Sequence, residues 1–246
     1  MIANIAQTYA TAAKLLNDNQ GVVSVAIFAA TLVLGWVSGI FSALRRRPRF
    51  KIQWIDGPTF VCTFPTGKKH NEFDVHRTGV ALYLKIANTG SAASSIEQIS
   101  VGYHWHVAPF SRAWFKYGIR RFWLHAQTAA ISDFQTEIGE NIKVYPFLTQ
   151  RSIYAVTRAA TYLEPGQAEN GVVYFEQQDS WGGCYPNSSA KGTRLKVCLR
   201  DVFGGKHVAR LTVPNVTLEH ARKYNPSFGK TLAELRNEPL PHDVRN

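Results

Sequence analysis

The sequence predicts a mainly β protein: an antiparallel β-sandwich preceded by one membrane-spanning helix. Three observations carry this. Residues 21–44 are 24 consecutive uncharged positions, followed at once by Arg45-Arg46-Arg47-Pro48-Arg49-Phe50-Lys51. Beyond that cluster, apolar residues recur at every second position, the period of a strand. Seven or eight such segments are separated by turn residues with no regular helix between them, which is the pattern of an all-β sandwich.

Segment 1–20 comes first. Ile5, Tyr9, Ala12, Leu15 and Leu16 lie roughly along one side of a helix over 4–17. Such a helix lies at the outer interface or extends the span. The run 21–44 reaches ~36 Å at ~1.5 Å per residue, enough to cross a hydrocarbon core ~30 Å thick. A buried core helix is seldom apolar on every face for so long, and a signal peptide carries its basic residues before a shorter apolar run. The flank before the span holds Lys14 and Asp18, which cancel, whereas the flank after it holds Arg45, Arg46, Arg47, Arg49 and Lys51. Basic flanks stay on the cytoplasmic side. The expectation is a bacterial inner-membrane protein with its N-terminus outside and residues 45–246 in the cytoplasm. The basic stop, 45–51, rests against anionic headgroups at ~1 kcal/mol per residue. Thr31, Gly35, Gly39 and Ala43 recur every four residues along the span. This small-residue ridge predicts helix packing and a homo-oligomer.

The domain is expected over 52–216. Phe50, Ile52 and Trp54 alternate with polar residues, Asp56-Gly57-Pro58 is a turn, and Phe60, Cys62 and Phe64 alternate again. The polar stretch 65–78 predicts a loop. Val80, Leu82, Leu84 and Ile86 face one way, with Ala81, Tyr83 and Lys85 the other. After the Asn88–Ser91 turn, Ile99, Val101, Tyr103, Trp105 and Val107 share one face of a half-buried strand. Further strands are expected at 142–147, 171–176, 194–202 and 206–213, separated by Glu164-Pro165-Gly166 and Gly204-Gly205. The tail 217–246 predicts a helix over 218–236, interrupted at Asn225-Pro226.

Net charge is +11, and the clusters at 45–51 and at Arg112, Lys116, Arg120 and Arg121 supply nine of those charges. High basicity usually suggests nucleic acid; a membrane surface explains the first cluster more simply. Cys62, Cys184 and Cys198 show no paired spacing, which fits reduced thiols.

The motifs Leu84-x-Ile86-x-Asn88-x-Gly90, the strand opening at Ile96, Leu163-x-Pro165-Gly166 and Val197-x-x-x-Asp201 resemble the skeleton of bacterial Ig-like and fibronectin-like sandwiches, over about half of the chain. The resemblance implies a binding or scaffolding module on an Ig-like antiparallel fold. The chain departs from that skeleton at an aromatic and basic insertion, 108–140. Its layout also resembles bacterial antiphage effectors that join membrane helices to a ligand-sensing β-domain. That likeness implies a ligand-gated effector that clusters and disturbs the bilayer.

The insertion is the leading candidate surface. Phe110, Trp114, Phe115, Tyr117, Phe122 and Trp123 interleave with Arg112, Lys116, Arg120 and Arg121. It suits packing over one end of the sandwich, an interfacial helix on the inner leaflet, or a surface for a protein or anionic small-molecule partner. His104 and His106 have a spacing that can hold a metal, without a third ligand in the sequence. Cys184 in Trp181-Gly182-Gly183-Cys184-Tyr185, with His207 as partner, is a candidate nucleophile, although the following Pro186-Asn187-Ser188-Ser189 reads as loop. Asp133, Glu137 and Glu140 read as a solvated face. No nucleophile elbow, P-loop, dinucleotide fingerprint or HExxH motif occurs. The expectation is a non-enzymatic, cofactor-free, membrane-tethered binding module.

Overall fold

The computed structural model describes residues 14, 17–39, 46–149 and 161–230. The chain divides into two units, the first ending at Arg46 and the second beginning at Arg47.

In the first unit, helix α1 spans Gln20–Val37. Its 18 residues are long and apolar enough to cross a membrane, and none of its side chains is buried. Ser24 and Thr31 donate their hydroxyls to the carbonyls of Gln20 and Ile27 at 2.8 Å, so these polar groups are satisfied within the helix. The helix closes at Val37. Ser38 N–H donates to Leu34 O, Gly39 N–H donates to Trp36 O, and Gly39 sits at φ +76°. A left-handed glycine of this kind closes a helix. Composition sets where a helix is tolerated in lipid; the backbone freedom of Gly39 decides where this one ends.

The second unit is mainly β. Strand β3 (Phe73–Asn88) carries β1 (Phe50–Trp54) and β2 (Phe60–His70) in succession along one edge and β9 (Ala168–Ser180) along the other, all antiparallel. A second antiparallel sheet is built on β11 (Gly192–Asp201), with β12 (Lys206–Val213) on one side and β4 (Ser94–Tyr103) on the other. Strands β5 (Phe122–Leu124) and β8 (Tyr162–Leu163) continue it beyond β4, and β10 (Ser188–Ser189) pairs with the start of β11. A separate hairpin joins β6 (Phe134–Ile138) and β7 (Asn141–Tyr145).

Both main sheets share one apolar cluster. Leu82, Leu84, Ile86, Val173 and Phe175 come from the first; Ile99, Val101, Tyr103, Val197 and Leu199 come from the second. The first sheet is covered on its other face too. Phe60, Cys62, Phe64, Ala81 and Tyr174 pack with Phe134 and Tyr145 of the hairpin and with Ala221 and Phe228. Helix α2 (Leu218–Tyr224) supplies Ala221. Thr217 caps it by accepting the His220 N–H at 3.3 Å, and it ends at Asn225-Pro226. Phe228 then lies on Gly79, where an added Cβ would come within 2.4 Å of its ring. Burial on two faces explains why β3 reads Val80-Ala81-Leu82 without a polar partner.

One expectation is corrected. Residues 65–78 are not a loop but the outer half of the β2–β3 hairpin. Most of its side chains are exposed, so no burial imposes the alternation that marks a strand. The C-terminal helix covers Leu218–Tyr224 and breaks at Asn225-Pro226, where its interruption was expected; residues 231–246, like the segment 4–13, lie outside the described residues.

Candidate functional site

The candidate side chains gather mainly at the two ends of the β-domain. Strand β4 runs from one end to the other, and its ten residues rise about 30 Å.

The far end is where β4 finishes. Tyr103, fully buried, donates its hydroxyl to Gln177 Oε1 at 2.5 Å, and Gln177 Nε2 donates to the Cys184 carbonyl at 2.8 Å. Burial pushes the Tyr103 hydroxyl up, so it stays a donor. His106 N–H donates to Tyr185 O at 2.8 Å and Asn187 N–H to His104 O at 2.7 Å, which ties 104–106 to 185–187. Trp105, Tyr117 and Phe122 form a packed aromatic cluster, with Trp105 4.1 Å from Tyr117 and 4.7 Å from Phe122 between ring centres.

The insertion is built on this floor. Ser111 Oγ accepts the Trp114 N–H at 3.0 Å and opens a single π-helical turn, Trp114–Ile119. Gly118 leaves room for the Trp114 ring, which an added Cβ would approach to 2.5 Å. Phe110 is 80 % exposed, Phe115 56 % and Ile119 53 %. Phe110 also holds φ +63°, a left-handed conformation costly for a bulky residue. Arg112, Lys116 and Arg120 are exposed around these rings. Trp114 joins the same knob, 5.2 Å from Phe110.

Trp123 does not. Residues 122–124 are a strand, so Phe122 and Leu124 turn into the core and Trp123 turns outward. There it faces Gly102 on the outer surface of the sheet, with Lys196 Nζ 5.8 Å from its ring centre. Arg121, half-buried, lies between the two groups. The candidate surface is thus divided by a change of period from helical to strand-like, hidden by the even spread of aromatics. The remainder of 108–140 leads through Ala130 to β6, where Phe134 is core rather than contact surface.

The near end is where the chain enters the domain. Arg47 O accepts the Ser91 N–H at 3.1 Å, Arg49 O accepts the Thr89 N–H at 2.7 Å, and Arg49 N–H donates to Asn88 Oδ1 at 3.3 Å. Buried Asn88 also accepts the Gly90 N–H and donates to Ala92 O and Leu163 O. Gly90 permits this approach, since a Cβ there would lie 2.4 Å from Arg47 O. The backbone of the basic stop is welded to the β3–β4 turn, while the side chains of Arg46, Arg47, Arg49 and Lys51 stay exposed. Arg45 and Ala43 fall outside the described residues. On α1, Thr31 and Gly35 are one turn apart; Gly39 has left the helix and does not continue their ridge.

Beside that weld, Phe50 N–H donates to His207 Nδ1 at 3.2 Å, and His207 Nε2 pairs with Asp201 Oδ2 at 2.8 Å. Asp201 Oδ1 accepts the N–H groups of Phe203 and Gly205, each at 2.9 Å. Burial alone would raise the Asp201 carboxyl; these hydrogen bonds outweigh it and hold it below its ordinary value. The locked turn leaves Val202 and Phe203 exposed at its tip. No sequence motif marked this group except the Val197–Asp201 match.

His207 is therefore committed to Asp201 and Phe50 at the near end, whereas Cys184 lies at the far end. Burial pushes the Cys184 thiol up and the Cys62 thiol up to about 11, opposite to the shift that activates a thiol. His106 stacks on Tyr185. Among the described residues no group of three or more His, Cys, Asp or Glu side chains comes together. No protein-family model matches this sequence, and no curated protein matches it.

Proposed function

We propose that this chain is a single-pass membrane protein whose Ig-like domain is a binding module, held by its near end to the cytoplasmic leaflet and offering its far end to a partner. The order β1–β3–β9 facing β12–β11–β4 is that of strands A, B and E against G, F and C in immunoglobulin-type sandwiches. This supports the Ig-like reading, with β2, β5 and the β6–β7 hairpin as additions. In such folds the connecting loops cluster at the two ends.

The observation that carries the reading is the separation of the two ends. The chain joins the domain at Arg47, beside exposed basic side chains and the apolar Val202–Phe203 tip. That combination suits a leaflet: cations at phosphate level and an apolar tip dipping below it. The Phe110, Trp114, Phe115 and Ile119 knob, ringed by Arg112, Lys116 and Arg120, lies at the other end of β4. Exposed aromatics with arginines are the composition of interface anchors. Tethering raises the module's effective concentration against neighbours in the same membrane.

Photoreactive residues at 203 and at 115 of the full chain, irradiated in native membranes, test this. The reading expects lipid adducts at 203 and protein adducts at 115. Lipid adducts at 115 would overturn it.

A further inference from the structure

We propose that the outer face of the β12–β11–β4–β5 sheet binds a small polyphosphorylated molecule of the nucleotide class. This surface is distinct from the far-end knob and stands whether or not the knob meets a partner.

Along β11, Leu195, Val197 and Leu199 are buried, so Arg194, Lys196, Cys198 and Arg200 point outward. Along β12, Leu211 and Val213 are buried, so Lys206, Val208 and Arg210 point outward. The register sets Lys196 directly opposite Arg210 and Arg200 directly opposite Lys206. Like charges at directly opposed positions destabilise a sheet. Two such pairs on one face, separated by the Cys198–Val208 pair and with Arg194 at the end of the row, are a cost that an anionic ligand would remove. Among the described residues the only carboxylate bonded to this set is Glu97, 3.1 Å from Arg200.

The face is also concave. A groove of about 410 Å³ is lined by Gln98, Ser100, Lys196, Cys198, Arg200 and Lys206, with Trp123 and His125 as its wall. That volume falls in the range of small-molecule sites. Trp123 is set by Gly102, where a Cβ would come within 2.8 Å of the indole, and His125 lies nearly parallel to it at 17°. The groove thus pairs a flat aromatic wall with three cations and polar uncharged groups between them. Cations clamp phosphate oxygens and the indole stacks a planar ring. A flat leaflet would meet the cations but leave the groove and its wall unused, which favours a discrete ligand.

The test is calorimetric titration of the full chain in nanodiscs of neutral phosphatidylcholine, with ATP, pyrophosphate and adenosine as probes. ATP and pyrophosphate are expected to bind, and adenosine to bind at least about tenfold more weakly than ATP. Lys196→Glu should weaken ATP by about tenfold or more while raising the melting temperature, because it turns an opposed like-charge pair into an attractive one. That rise separates lost binding from lost folding. Trp123→Leu should weaken ATP but leave pyrophosphate unchanged. No binding of either phosphate probe, or ATP binding unchanged in Lys196→Glu, overturns the proposal, as does binding of adenosine as tight as that of ATP.

Discussion

The two ends of the β-domain solve opposite problems. At the near end the buried polar side chains are hubs: Asn88 makes four hydrogen bonds, and Asp201 takes two backbone donors and one imidazole. At the far end, His76 Nδ1, His104 Nδ1, Trp105 Nε1 and Arg121 Nε have no protein partner, and Phe110 is held in a left-handed conformation. A satisfied polar network fixes one geometry, whereas exposed rings retain the capacity to bind. The near end is therefore the more rigidly fixed of the two, and the proposed function gives the far end to a partner.

Breaking the near end should cost most. Asn88→Ala strands Arg49 N–H, Gly90 N–H and two carbonyls, and is expected to lower stability by ~3 kcal/mol in denaturant titration of the full chain in micelles. A loss below ~1 kcal/mol would mean that water replaces the joint without difficulty. Asp201→Asn should follow, at ~2 kcal/mol, because it weakens bonds made to a charged group. The same carboxyl sets a pH dependence. Its folded-state pKa is depressed, so its contribution is present above the ordinary value of 3.8 and is lost as pH falls through the folded value. Melting temperature should drop over that acid range in the wild type, and the drop should be smaller in Asp201→Asn.

Changes at the far end should be milder. Phe110→Gly relieves the left-handed backbone and is expected to stabilise by up to ~1 kcal/mol while abolishing partner adducts. Phe115→Ser should shift stability by less than ~0.5 kcal/mol, as an exposed position does. A large stability loss from either would make the knob a packing element and erase the contrast between the ends.

Much of the β architecture was legible because burial writes itself as alternation. The strand expected over 206–213 has those bounds in the structure, and Cys62 alternates with Phe60 and Phe64 because all three are core. The outer half of the β2–β3 hairpin was not legible, since exposed strands carry no such constraint. Nor was the second covering of the first sheet, which depends on Phe134, Tyr145 and Phe228 arriving from distant segments. The basic face illustrates the limit best. Lys196 and Arg210 meet only through strand register, although Arg194-x-Lys196-x-Cys198-x-Arg200 and Lys206-x-Val208-x-Arg210 did carry its period-two signal. The joint at Asn88 was visible as a turn and as one position of a motif match, but not as a hub, because a side-chain hub leaves no periodic trace.

The central claim is that the domain meets the bilayer with its near end. It is tested most directly by attaching a fluorophore at position 203 or at position 115 of the full chain in nanodiscs containing brominated lipid. The account predicts strong quenching at 203 and none at 115. Equal quenching at both positions, or quenching at 115 alone, would contradict it.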